Sequence, residues 1–165
     1  MTDALVAFLK ARIDDDAAAI PTGLPDWHSP GSRVVLAEGF NEYVVIDESL
    51  KDMLERDESL MPFGCVAVTD YDADAKYIAR HDPARTLREV EAKRAVLAAY
   101  CAAVSAREEA ARLVQKARTS GWDPIMAELE EASAIHKRDA LHEVLRLLAL
   151  PYSDHPGYEE ALAGG

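Results

Sequence analysis

The spacing of apolar residues divides this chain into a helical start, a short alternating stretch and a long helical remainder. Leu5, Leu9, Ile13, Ala17 and Ile20 recur at steps of three and four, which lines them along one face of an α-helix. Thr2 can cap that helix and Pro21 stops it, so residues 1–20 are expected to be helical. Three prolines and two glycines between Pro21 and Ser32 then read as a loop, with Trp27 suited to pinning it into a core. The period shortens to two at Arg33 to Glu38 and Glu42 to Asp47, which flank Gly39-Phe40-Asn41 like the arms of a hairpin with a three-residue loop. Phe63 to Thr69 reads as a third strand. Between them, Ser49 and Asp52 can open a short capped helix through Arg56, with a long acidic loop as the alternative.

From Asp72 the helical period returns. A short segment, Asp74 to Arg80, leads to Asp82-Pro83, where aspartate can cap and proline suits a first helical position. No breaker recurs until Gly121, so one long helix is expected, with Leu87, Val90, Leu97, Cys101, Val104 and Ala111 as its seam and Val96, Tyr100 and Val114 widening it. Gly121 fits a left-handed C-cap, and Asp123-Pro124 repeats the cap-then-proline start. The next helix carries Ile125, Leu129, Ala132, His136, Ala140, Val144 and Leu147 on one stripe, expected to face the core, and ends at Pro151. Two long helices joined by so short a turn run antiparallel. Counted outward from the turn, Leu150 falls opposite Ala92, and the residues after it opposite Leu87.

The expected fold is α+β and mostly helical: an N-terminal helix and a small antiparallel β-sheet packed on a long antiparallel helical hairpin. The length suits one domain, spanning 1–165, with the helix at 1–20, the sheet region at 33–69, the hairpin at 72–150 and a C-terminal turn and tail at 151–165. The widened face of the long helix suggests a homodimer.

Composition narrows the function classes. Apolar residues make up 49% of the chain and charged ones 29%, an ordinary globular balance. Of the net charge of −12, residues 38–74 hold −9, with eleven acids against two bases. That field repels phosphates and favours basic partners, so binding in a nucleic-acid groove is not expected, despite Arg80, Arg85, Arg88, Lys93 and Arg94. Those cations can instead pair along the helix through the four-residue steps Arg85–Glu89 and Glu89–Lys93. No apolar run is long enough to cross a bilayer. Met1 to Ile20 lacks the basic leader of a signal peptide and ends in Asp14-Asp15-Asp16, so a cytoplasmic location is expected and no membrane partner. Cys65 and Cys101 form no C-x-x-C pair and read as ordinary buried thiols. No glycine-rich phosphate loop occurs, and no cofactor is called for.

If the hairpin folds as described, its two polar blocks share one end. His81, Asp82, Arg85 and Arg88 would face Tyr152, Asp154, His155 and Tyr158 as a binding site. His81, Asp82, Asp154 and His155 are chemically suitable metal ligands, but their spacing is not diagnostic. Helix capping by the two aspartates explains them as well, with the histidines bonded to backbone. A histidine base oriented by its neighbouring aspartate is conceivable, with Arg85 or Arg88 holding an anion, but no nucleophile accompanies it. No catalytic residue is assigned.

The stretch Tyr77-Ile78-Ala79-Arg80-His81-Asp82-Pro83-Ala84-Arg85 running on through Glu89-Val90-Glu91-Ala92-Lys93-Arg94, together with Leu145 to Tyr158 around Pro151-Tyr152-Ser153-Asp154-His155-Pro156, resembles a domain of unknown function found in small proteins of actinobacteria and their phages. Relatives carry a cysteine cluster between these blocks. This chain has the helical segment Ser105 to His142 there, so the zinc site they imply is not carried over. The resemblance implies no activity. With the acidic middle and the missing catalytic signature, it supports a non-enzymatic protein-interaction or regulatory module, such as a phage accessory protein acting on a host protein in the host cytoplasm. A metal-binding domain or metal-dependent enzyme built on the His/Asp set is the alternative.

Overall fold

The structure, a computed structural model, describes residues 4–20, 27–29, 34–37, 65–69 and 71–164. Its helices are α1 (Ala4–Ala18), α2 (Asp72–Arg80), α3 (Pro83–Ser120), α4 (Ile125–Ala149) and α5 (Tyr158–Ala163), with a 3₁₀ turn at Leu150–Tyr152. The strands are β1 (Trp27–His28), β2 (Val34–Ala37) and β3 (Cys65–Val68). Over the described residues this is a helical protein, which corrects the α+β class. The strands have two, four and four residues, against 38 for α3 alone. The described strands are short, whereas the helical period runs almost unbroken from residue 72.

Contacts gather the chain into two compact units, Met1–Asp16 with Val90–Gly165, and Ala17–Glu89. In the second, the strands lie antiparallel in the order β1-β2-β3, with Trp27 opposite Ala37, Val34 opposite Val68, and an irregularity between Val35 and Leu36. The strands expected near 33–38 and 63–69 are therefore present in shortened form. The hairpin arm at Glu42 to Asp47 and the Ser49 to Arg56 segment lie outside the described residues. Ala75 and Ala79 of α2 form a small buried cluster against which Trp27, Ala67 and Ile78 pack. Methyl-sized side chains let the helix approach closely, and Trp27 fills the remaining space as expected.

In the first unit α3 and α4 form the antiparallel hairpin. Gly121 takes φ +73° and the Trp122 N–H reaches back to the Ala117 carbonyl at 3.1 Å, a left-handed closure of α3. Asp123 then accepts the Ile125 N–H at 3.0 Å as α4 starts. Cross-links along the hairpin give its register: Arg118 to Glu128 at 2.7 Å near the turn, the Tyr100 and His142 rings 5.9 Å apart midway, and Lys93 to Tyr152 at 2.8 Å near the open end.

Leu5, Leu9 and Ile13 are buried along α1, as their spacing required. On α3 the buried seam is Val90, Leu97, Tyr100, Ala103, Ala110 and Val114. Tyr100 and Val114 thus serve this unit and are not a surface left for a second copy. Leu87 and Cys101, expected to be buried, are exposed. The larger correction concerns α4. Its buried residues are Leu145 and Ala149, while Ile125, Leu129 and Leu147 of the expected core stripe are about 60% exposed (58%, 60% and 65%). Helix α4 is apolar on two faces, and periodicity alone does not say which one the chain covers.

Candidate functional site

Three consecutive carboxylates, Asp14, Asp15 and Asp16, sit in the last turn of α1, which has no basic residue there. Negative charge at a helix C-terminus is disfavoured by the backbone dipole, so each needs a cation. Arg12, on the preceding turn, takes Asp15 at 2.9 Å. The other two come from α3: Arg94 to Asp14 at 2.7 Å and Lys93 to Asp16 at 2.8 Å. The Tyr152 hydroxyl completes a closed set. It donates to the same Asp16 Oδ2 at 2.5 Å and accepts from Lys93 Nζ at 2.8 Å, with the ammonium also 5.2 Å from the Tyr152 ring centre. One carboxylate oxygen thereby joins the end of α1, the early part of α3 and the turn after α4.

Burial alone would lower the Lys93 pKa, but its hydrogen bonds to Asp16 and Tyr152 outweigh that and hold it above its ordinary 10.5. Burial, reinforced by the bond to Asp16, likewise pushes the Tyr152 phenol above 10.0. At neutral pH both keep their protons. A general base works with a pKa near the operating pH, and these groups are moved the other way. The chemistry is that of a latch.

Phe8 extends this cluster on α1. Its ring lies edge-on to Tyr152, His155 and Tyr158 at 6.5, 5.8 and 6.2 Å. Of the site residues expected in this unit, Tyr152 sits in the latch and Tyr158 is buried at the start of α5. His155 is exposed, its Nδ1 bonded to the Pro156 carbonyl at 2.7 Å. Asp154 is exposed and caps nothing: α5 begins after Gly157, at φ +91°, without a side-chain cap.

The remaining expected residues belong to the second unit. Asp82 caps α3, its Oδ1 accepting the Arg85 N–H at 2.5 Å. His81 ends α2, its Nδ1 bonded to the Tyr77 carbonyl at 2.8 Å and its ring 4.3 Å from that of Tyr77. Arg85 reaches Glu89 at 2.8 Å and the Arg80 carbonyl at 3.1 Å, and Arg88 is exposed. Capping and local pairing describe this block. Lys93, expected to pair with Glu89, binds Asp16 instead. Among the described residues no group of three or more His, Cys, Asp or Glu is placed to hold a metal ion, and no helix is long and apolar enough to cross a membrane.

Two surfaces of the first unit went unread in the sequence. One is a half-open groove of about 340 Å³ between α1 and α3, walled by Val6, Ile13, Leu97 and Ala98 and rimmed by Lys10, the Asp14–Arg94 pair and Cys101. The other is on the outward face of α4, where Ile125, Met126 and Leu129 stand exposed at its start, preceded by Trp122 at 77%, and Val144 and Leu147 near its end, with His136 and Glu143 exposed between them. Isolated exposed apolar residues are ordinary, but a contiguous apolar surface marks an interaction site.

A family model described as a family of unknown function (DUF6221) matches residues 2–163. No curated protein and no solved structure matches the chain.

Proposed function

Because the chain belongs to a family of unknown function (DUF6221), its own surfaces have to carry the functional reading, and we propose that it is a non-enzymatic protein-interaction module. The observation that carries this is the apolar outward face of α4, held on a helix whose opposite face is fixed in the unit through Leu145 and Ala149. A rigid amphipathic presentation of this kind suits helix-mediated recognition, in which anchors three and four residues apart enter a partner's surface. Ile125, Met126 and Leu129 have that spacing, and Trp122 lies in the turn just before the helix.

The net charge of −12 adds a preference for basic partners, and the likeness to actinobacterial and phage proteins makes a host protein in the cytoplasm the proposed target. The test is affinity capture from an actinobacterial lysate with the full chain and with its Leu129→Glu variant. A protein bound by the first and lost by the folded second supports the reading. Equal recovery by both, or recovery of nothing, including no second copy, contradicts it.

A further inference from the structure

The groove between α1 and α3 has one polar end and one apolar end. The ion pairs Asp16–Lys93 and Asp14–Arg94 match falling numbers on α1 with rising ones on α3, so the two helices run antiparallel there. The Asp14–Arg94 pair therefore closes one end, with Lys10 a turn away along α1, and Val6 and Cys101 lie together at the other. Between them the wall is Ile13, Leu97 and Ala98, of which Ile13 and Leu97 are buried. From Val6 to Asp14 the groove runs about 12 Å at 1.5 Å per residue. Its volume of about 340 Å³ falls within the range of small-molecule sites, roughly 300–1,000 Å³, which are mostly apolar with a few polar groups that fix orientation.

Charge decides what the polar end takes. Two cations, Lys10 and Arg94, line the groove with one carboxylate, Asp14, which Arg94 already holds at 2.7 Å. Of the other acids on α1 and on residues 90–105 of α3, Asp15 is held by Arg12 and Asp16 by Lys93, while Glu91 precedes Arg94, past the closed end. The lining thus carries one net positive charge in a chain of −12. Lys10 is exposed, and Arg94 reaches Asp14 through Nη2, which leaves other guanidinium N–H groups as donors. We propose that this groove binds a medium-chain aliphatic carboxylate, with its head between Lys10 and Arg94 and its tail along Leu97 and Ala98 toward Val6 and Cys101. A neutral ligand leaves the charge of Lys10 unanswered and a cation meets it with repulsion. A head without a tail leaves the apolar wall in water. The site is separate from the apolar residues of α4 and does not rest on the interaction reading.

Cys101 is exposed at the tail end, so its alkylation reports whether the groove is filled. With the full chain, sodium decanoate below its micelle-forming concentration is expected to slow the reaction of Cys101 with iodoacetamide, to saturation, as read by mass spectrometry of the peptide that carries it. Acetate and decyltrimethylammonium are expected to give no protection. Decanol, which lacks the charge, is expected to need about ten times the concentration, as is decanoate with the Lys10→Met variant, the worth of one charge-assisted contact. Lys10→Arg is expected to bind as the wild type does. Ala98→Leu, which fills the groove from an exposed position, is expected to lose protection, and Leu129→Glu on α4 to keep it. Absent or unsaturable protection by decanoate, equal protection by decanol, full protection in Lys10→Met or Ala98→Leu, or its loss in Leu129→Glu overturns the proposal.

Discussion

Asp16 offers one oxygen to both a lysine and a phenol, and the proton positions that follow make this latch measurable. Lys93 and Tyr152 bind their protons more tightly in the folded chain than in the unfolded one. As pH rises past the unfolded values of 10.0 and 10.5, the unfolded chain releases protons first. Stability present in full below those values is therefore lost as pH climbs through the higher folded ones. Urea unfolding followed into the alkaline range is expected to show a steeper loss for the wild type than for a Tyr152→Phe, Lys93→Met double variant; parallel curves would contradict the latch. At neutral pH, Tyr152→Phe and Lys93→Met are each expected to cost about 1 kcal/mol, a charge-assisted bond discounted for partial exposure. Asp82→Ala, which removes the cap of α3, is expected to cost about 1 kcal/mol, with Asp82→Ser largely sparing it. Tyr152 and the capping role of Asp82 were legible in the sequence, the first through its signature stretch and the second through its proline. Asp16 was not, although three acids at the wrong end of a helix are a signal that cations must arrive from elsewhere.

Helix α4 shows how far an element can be read. Its existence, its start after Gly121 and its antiparallel pairing with α3 all follow from period and punctuation. Its orientation does not, because two apolar stripes share one helix. Ile125, Leu129 and Leu147 make the cleaner pattern and lie outside, while the covered face includes Leu145 and Ala149. Thermal unfolding separates the faces. Leu145→Ala, fully buried, is expected to cost about 2–5 kcal/mol through its transfer and cavity terms. Leu147→Ala is expected to stay within about 0.5 kcal/mol, and similar costs for the two would reverse the assignment. At the turn, an added Cβ on Gly121 meets nothing within 4 Å, so Gly121→Ala is expected to cost about 1 kcal/mol through its φ of +73° alone.

At the scale of the whole molecule, the expected α+β class does not hold. Among the described residues the strands, of two to four residues each, lie beside α2, and the helices set the class. The two signature stretches looked like halves of one polar site. The residues of the first that lie in the second unit act locally, as caps and pairs, whereas Lys93, Arg94 and Tyr152 join the acids of α1. The proposed interaction surface is apolar instead, which motif reading overlooks because leucines and alanines form no motif. Affinity capture from lysate tests that shift most directly, comparing the full chain with its Leu129→Glu, Leu147→Glu variant. A protein held by the wild type and lost by the folded variant is the predicted result. Equal recovery by both, or recovery of nothing by either, would contradict the account.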